Sequence, residues 1–179
     1  MENTDLINLI NSCSRCSGLI VDKPCIKHGV YHRFMPPNPL ILVVSESPPP
    51  GFKQDYLYNL EHRDNLRLAL SKALNISERR VVEYLQSHHI LWSTAIKCRP
   101  VSKDHLKKMR INCLRVLKVE LKNIKPAITV ALGKTAQSSF RDLGVKFDYS
   151  GYHPLYYMRM NNLGKLKTIL EEATLRIKD

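Results

Sequence analysis

Apolar residues come in two distinct rhythms along this chain. Residues 40–44 and 127–132 are short, almost unbroken apolar runs, and 89–95 is a third of mixed character. Runs of that length without polar alternation suit strands buried on both faces. The first stops at Ser45-Glu46-Ser47-Pro48-Pro49-Pro50-Gly51, which reads as a stiff turn. A fourth strand is predicted over 145–149.

Between these runs the apolar spacing changes to three and four. Leu66, Ala69, Leu70, Ala73 and Leu74 predict one helix, and Val81, Val82 and Leu85 a second, N-capped by Ser77. Pro100 and Ser102 open a long helix with Leu106, Cys113, Leu114, Leu117, Leu121 and Ile124 inward, and Pro126 closes it. Another helix starts at Gly133-Lys134, and Leu163, Leu166, Leu170, Ala173 and Ile177 mark the last. Ahead of the first strand, 5–11 is a short helix and 13–39 an irregular loop. Strands alternating with helices indicate one α/β structure around a mainly parallel sheet, without internal repeat or domain linker.

In such sheets ligands sit beyond the carboxyl ends of the strands. Glu46, Thr94 with Lys97, Gly133 with Lys134, and His153 follow the four strands and are the candidates for chemistry. Each has a plainer reading: Glu46 as a loop cap, and His153-Pro154, between Tyr152 and Tyr156-Tyr157, as a packed surface loop. Gly133-Lys134-Thr135 is similar to the end of a nucleotide-binding P-loop, but Ile128 occupies the position that pattern reserves for glycine. A nucleoside triphosphatase is thereby disfavoured, while a glycine opening a helix still offers N–H groups to a DNA phosphate.

Charge and cysteine content sharpen the picture. The 28 Lys and Arg against 16 Asp and Glu leave a formal net charge of +12, which favours a polyanionic partner. With 44% hydrophobic residues in 179, the chain can build a sizeable core. No apolar run approaches the roughly 18 residues of a membrane span, and no apolar, cleavable N-terminal stretch is present, so a cytoplasmic, chromosome-associated protein is expected. Cys13 and Cys16 form a C-x2-C clamp, and with Cys98 and Cys113 they would complete a four-sulfur site for iron–sulfur or zinc. Cys25 is the odd thiol.

The ordered set of C-x2-C, strand plus Ser45-Glu46-Ser47-Pro48-Pro49, Ile96-Lys97-Cys98-Arg99-Pro100, Cys113, Ile124-Lys125-Pro126 running into Leu132-Gly133-Lys134-Thr135-Ala136, and Tyr152-His153-Pro154 resembles the uracil-DNA glycosylase superfamily over nearly the whole chain. It is most similar to family 4, the iron–sulfur glycosylases. The resemblance implies a three-layer α/β/α fold with a four-stranded sheet over 1–179, an N-terminal metal-binding loop at about 12–39, and a [4Fe–4S] cluster on Cys13, Cys16, Cys98 and Cys113, with zinc as the alternative. Cys113 then lies about 15 Å into a helix starting near Lys103, so the Cys98 loop must fold back toward it.

The implied activity is hydrolysis of the N-glycosidic bond of a deaminated base in DNA, uracil first and hypoxanthine next. A non-catalytic binder of DNA or damaged bases with the same fold is the alternative, and a monomer is expected. Glu46 matches the family's acidic loop position, beside the sugar, and His153 matches its His-Pro loop, beside the base carbonyl. Ser47, Tyr58 and Thr94 are the expected base-binding residues. Lys97, Arg99, Gly133, Lys134 and Arg159 are the expected DNA contacts. The sequence departs from the family at Ser45 and Pro49, which replace loop glycines, and at Thr94, which replaces the uracil-reading asparagine. The family's Pro-Phe-Val-Gly segment is absent, leaving Phe52, Tyr56 and Tyr58 as stacking candidates.

Overall fold

The computed structural model describes residues 4–177. Its centre is a four-stranded, wholly parallel sheet in the order β2-β1-β3-β4, formed by β1 (Ile41–Ser45), β2 (Ile90–Thr94), β3 (Ile128–Leu132) and β4 (Tyr149–Gly151). The first three are buried along their whole length, as their near-continuous apolar sequences require. Register places Ser45 beside Thr94 and Leu132 beside Gly151, so the four carboxyl ends lie at one edge of the sheet.

Eight α-helices surround the sheet: α1 (Thr4–Ser12), α2 (Pro24–Lys27), α3 (Asn65–Leu74), α4 (Val81–Ser87), α5 (Leu106–Ile124), α6 (Lys134–Asp142), α7 (Pro154–Arg159) and α8 (Leu163–Arg176). α3 packs with α4, α7 and α8, whereas α5 packs with α1 and α6. This grouping follows from right-handed crossovers. The chain moves one way from β1 to β2 and the other way from β2 to β3 to β4, so the two sets of connections cover opposite faces. The result is the three-layer α/β/α fold.

Several boundaries differ from expectation. The fourth strand starts at Tyr149, not Val145, because Gly144 (φ +67°) ends α6 and Val145 N–H donates back to Phe140 O at 3.0 Å. Asp148 then donates its N–H to Thr129 O at 2.9 Å, and its Oδ2 accepts from Thr129 N–H at 2.8 Å. Ser77 makes no side-chain cap, and a 3-10 turn (Glu78–Arg80) precedes α4. Ser102 caps a 3-10 turn (Lys103–His105), and α5 follows. The inner face of α5 is rotated to Met109, Cys113, Val116, Leu117 and Glu120. His153-Pro154, read as loop, begins the helix α7.

The segment expected to be an irregular loop contains α2 and a π-helical turn (Val30–Phe34). Val30, Tyr31 and Phe34 join the main core with Leu6 and Ile10 of α1. Lys23 is the device that folds this segment. Its Nζ donates to the main-chain oxygens of Ile10 (2.8 Å), Asn11 (2.5 Å) and Cys13 (2.8 Å), where the end of α1 leaves carbonyls short of main-chain donors.

Candidate active site

The strand order reverses at β1, so the crevice at a parallel sheet's switch point lies between the carboxyl ends of β1 and β3. Glu46 leaves β1 there and Gly133-Lys134-Thr135 leaves β3. Thr135 Oγ1 donates to Glu46 Oε2 at 2.5 Å and bridges the crevice. A cavity of about 410 Å³ opens at this edge, and its lining includes Glu46, Ser47, Tyr58, Thr94, His153 and Arg159. Six residues proposed from four separate segments therefore share one cavity.

The Glu46 loop is held from below. Arg99, only 1% exposed, donates through Nη1 to Pro49 O at 2.8 Å, through Nη2 to Asp55 O at 3.0 Å and through Nε to Asp22 Oδ1 at 3.0 Å. Gly51 N–H adds a bond to Pro100 O at 2.9 Å. The expectation that Arg99 contacts DNA is corrected: every edge of its guanidinium faces a protein acceptor, and its role is to set the height of the Pro-rich loop.

His153 caps α7, with its Nδ1 accepting the Leu155 N–H at 3.2 Å. An Nδ1 that accepts carries no proton, so the neutral ring bears its hydrogen on Nε2. Burial lowers the pKa of His153 below its usual 6.5, the Glu46 carboxylate opposes that shift, and Arg159 and Lys103 reinforce it. The favoured form is thus a neutral imidazole with a fixed N–H donor. Gly133 stands behind it in a backbone conformation (φ +89°, ψ 162°) that side chains avoid, and its N–H donates to Gly151 O at 2.9 Å.

The expected base readers sit on the wall, but their hydroxyl hydrogens are already donated. The Thr94 hydroxyl donates to Ile96 O at 2.7 Å. Tyr58 OH donates to Trp92 O at 2.9 Å and accepts from Trp92 N–H at 3.1 Å, while its ring stacks on Phe34 at 5.3 Å. Ser47 Oγ donates to Pro48 O at 2.9 Å. Phe52, in contrast, is 85% exposed and is not part of the lining.

Lys97 is also corrected as a DNA contact. Its ammonium is 1% exposed, paired with Glu120 Oε2, and donates to Ser93 Oγ at 2.7 Å and Thr94 O at 2.6 Å. Glu120 Oε1 accepts from Tyr31 OH at 2.8 Å and Ser93 Oγ at 2.6 Å. A charge this deep persists because each donor and acceptor is answered. Lys134 and Arg159 remain exposed, at the first turn of α6 and the last of α7. Lys53 and Lys103 also border the cavity and were missed, as were Asp55 and Thr135. Thr135 lay inside the quoted Gly133-Lys134-Thr135 motif, which was the available signal.

Three of the four thiols gather at a separate place, and Cys13 stands outside their cluster. Main-chain bonds between Val21 and Arg99, Arg99 and Asp22, and Val101 and Leu19 pair the N-terminal segment antiparallel with 99–101. This pairing brings Cys16 beside Cys98, and the same loop folds back until Lys97 N–H lies 3.5 Å from Cys113 Sγ. The anticipated return of the Cys98 loop is therefore observed. Cys16, Cys98 and Cys113 form a small apolar cluster with Ile96 and Met109, and Asn112 Nδ2 lies 3.5 Å from Cys16 Sγ. Burial pushes the Cys98 thiol up to about 12, and Cys113, Cys25 and Cys16 push it the same way. Cys25 belongs instead to the main core.

Among the described residues no group of three or more Cys, His, Asp or Glu side chains is drawn close enough to hold a single metal ion. A zinc ion needs all its sulfurs about 2.3 Å from one point. An iron–sulfur cluster places several atoms between its thiolates, so its ligands need not stand close enough to share one ion. No helix among the described residues is long and apolar enough to cross a membrane.

No curated protein matches this chain. The family model described as the Uracil DNA glycosylase superfamily matches residues 32–174, which includes all four strands, the Glu46 loop and the His153 turn. By that match, and in keeping with its parallel α/β/α architecture, the chain belongs to the Uracil DNA glycosylase superfamily.

Proposed function

We propose that this protein is a monofunctional DNA glycosylase of the iron–sulfur subtype, which hydrolyses the bond between deoxyribose and a deaminated base, with uracil as the leading substrate and hypoxanthine next. The observation that carries the reading is the opposition of Glu46, held by Thr135 across the crevice, to a His153 whose Nδ1 is occupied and whose Nε2–H is available. Breaking the N-glycosidic bond builds positive charge on the sugar and negative charge on the departing base. Glu46 stabilises the former and orients the water that adds to the sugar carbon. His153 Nε2–H stabilises the latter at a base carbonyl oxygen. Both act in a cavity with an aromatic wall, where preorganised charges are worth more than in water.

The target nucleotide must leave the duplex, at a cost of a few kcal/mol, to enter such a cavity. The exposed cations Lys53, Lys103 and Arg159 at its border suit the flanking phosphates, as does Lys134 at the start of α6. Cys13, Cys16, Cys98 and Cys113 would hold the [4Fe–4S] cluster, which supplies a covalent staple between the loop of about 12–39, the Cys98 loop and α5. The catalytic residues lie outside that thiol set.

The test is single-turnover incubation with oligonucleotides carrying uracil, hypoxanthine or xanthine, followed by alkaline cleavage at abasic sites. Release of uracil, with slower release of hypoxanthine, is expected. Tight binding without release from any of them would overturn the enzymatic reading.

A further inference from the structure

Discrimination among bases requires hydrogen-bonding groups with capacity to spare, and a charged acceptor on the cavity wall reads a ring N–H more strongly than a neutral hydroxyl does. The Thr94, Ser47 and Tyr58 hydroxyls have given their hydrogens to main-chain carbonyls and keep only neutral lone pairs. Asp64 caps α3 by accepting from Arg67 N–H at 2.7 Å. Asp55 is different. Its Oδ1 is sealed from solvent with no hydrogen-bond partner among the described residues. Arg99 Nη1 stands 3.9 Å away, within ion-pair reach but too far for a hydrogen bond. The side chain keeps 22% of its surface open and borders the cavity. Its backbone is fixed, because Arg99 Nη2 holds the Asp55 carbonyl at 3.0 Å. Oδ1 thus leans inward on Arg99, and Oδ2, which makes no hydrogen bond among the described residues, is the carboxylate oxygen left to accept from a group in the cavity.

We propose that Asp55 reads the base edge, its carboxylate accepting the ring N–H that adjoins a carbonyl on a deaminated base. The inference rests on the glycosylase reading and deepens it. Deamination of cytosine or adenine turns a bare ring nitrogen, an acceptor, into an N–H donor beside a new carbonyl. A carboxylate repels the lone pair of the parent base and bonds the hydrogen of the product, while His153 Nε2–H takes a carbonyl. The contact is shared by uracil, hypoxanthine and xanthine, and it does not by itself exclude thymine, which has the same edge. It also assigns a charged reader in a wall where the Thr94 hydroxyl has already given its hydrogen to Ile96 O.

The experiment compares single-turnover release of uracil and of N3-methyluracil, in which a methyl replaces the ring N–H, from otherwise identical oligonucleotides. The parent should prefer the unmethylated base by about 10²-fold, the scale of one hydrogen bond to a charged group. Asp55→Ala should bring the two rates within about threefold of each other, and Asp55→Asn, which keeps one acceptor oxygen, should restore part of the preference. A role confined to supporting Arg99 would slow both substrates equally and leave the ratio unchanged. An unchanged ratio in both variants, or no preference in the parent, overturns the assignment while base release by the parent keeps the glycosylase reading. If Asp55→Ala fails to fold, the ratio in Asp55→Asn decides. A parent that releases neither base and leaves deoxyuridine oligonucleotide unbound in fluorescence anisotropy overturns both.

Discussion

At the scale of single residues, chemistry is concentrated on Glu46 and His153. Glu46→Ala or His153→Ala should slow base release by about 10²- to 10³-fold, the usual effect of losing one preorganised electrostatic group, with DNA affinity little changed. Parent-like rates in both variants would remove them from the site. His153 also makes stability depend on pH. Burial holds its folded pKa below 6.5, with Glu46, Arg159 and Lys103 as the charges facing it, so the unfolded chain binds more protons between the two values. Its contribution is present in full above pH 6.5 and is lost as pH falls through the lowered folded value. His28 is shifted the same way by burial but is common to both proteins in a comparison with His153→Gln. Urea unfolding from pH 8 to 5 should show a shallower acid loss of stability in that variant. An identical pH dependence would mean that His153 titrates normally.

At the scale of elements, the link between β2 and α5 is the buried Lys97–Glu120 pair, extended by Ser93 and Tyr31. It ties the strand end carrying Thr94 to the helix carrying Cys113. Lys97→Met should cost about 3–5 kcal/mol, because it leaves Glu120 charged and unpaired at 0% exposure. The double variant Lys97→Met/Glu120→Leu should recover most of that loss, since replacing both partners removes the orphan charge. Chemical denaturation measures both, and a single variant losing less than about 1 kcal/mol would contradict the pair's isolation from water. This element was illegible in the sequence: Lys97 read as a surface cation after a strand, and Glu120 fell on a helix whose inward face was placed one position away.

At the scale of the whole molecule, the N-terminal segment and the matched region 32–174 are joined by the main-chain bonds of 19–22 with 99–101 and by the Arg99–Asp22 ion pair. Anaerobically purified protein should be brown, with broad violet-blue absorption and about four irons per chain. Cys16→Ala should reduce the iron content and lower the melting temperature, because the segment then loses its staple. Colourless protein with one tightly held zinc would replace the cluster while keeping the metal site.

Sequence alone determined the parallel α/β plan, the order of the motifs and the edge at which Glu46, Thr94 and His153 meet. These are legible because strand burial and helix spacing are local patterns, and because carboxyl ends of parallel strands lie together by construction. The cysteine set was readable as a donor inventory, and the approach of Cys16, Cys98 and Cys113 awaited the pairing of the N-terminal segment with 99–101. Only the tertiary structure decided that Lys97 and Arg99 are internal, that the Thr94 hydroxyl hydrogen is taken by Ile96 O and that the Asp55 carboxylate has no hydrogen-bond donor among the described residues. Each of those depends on a partner brought in from elsewhere in the chain, or on the lack of one, and residue type alone does not say where an acceptor will stand after folding.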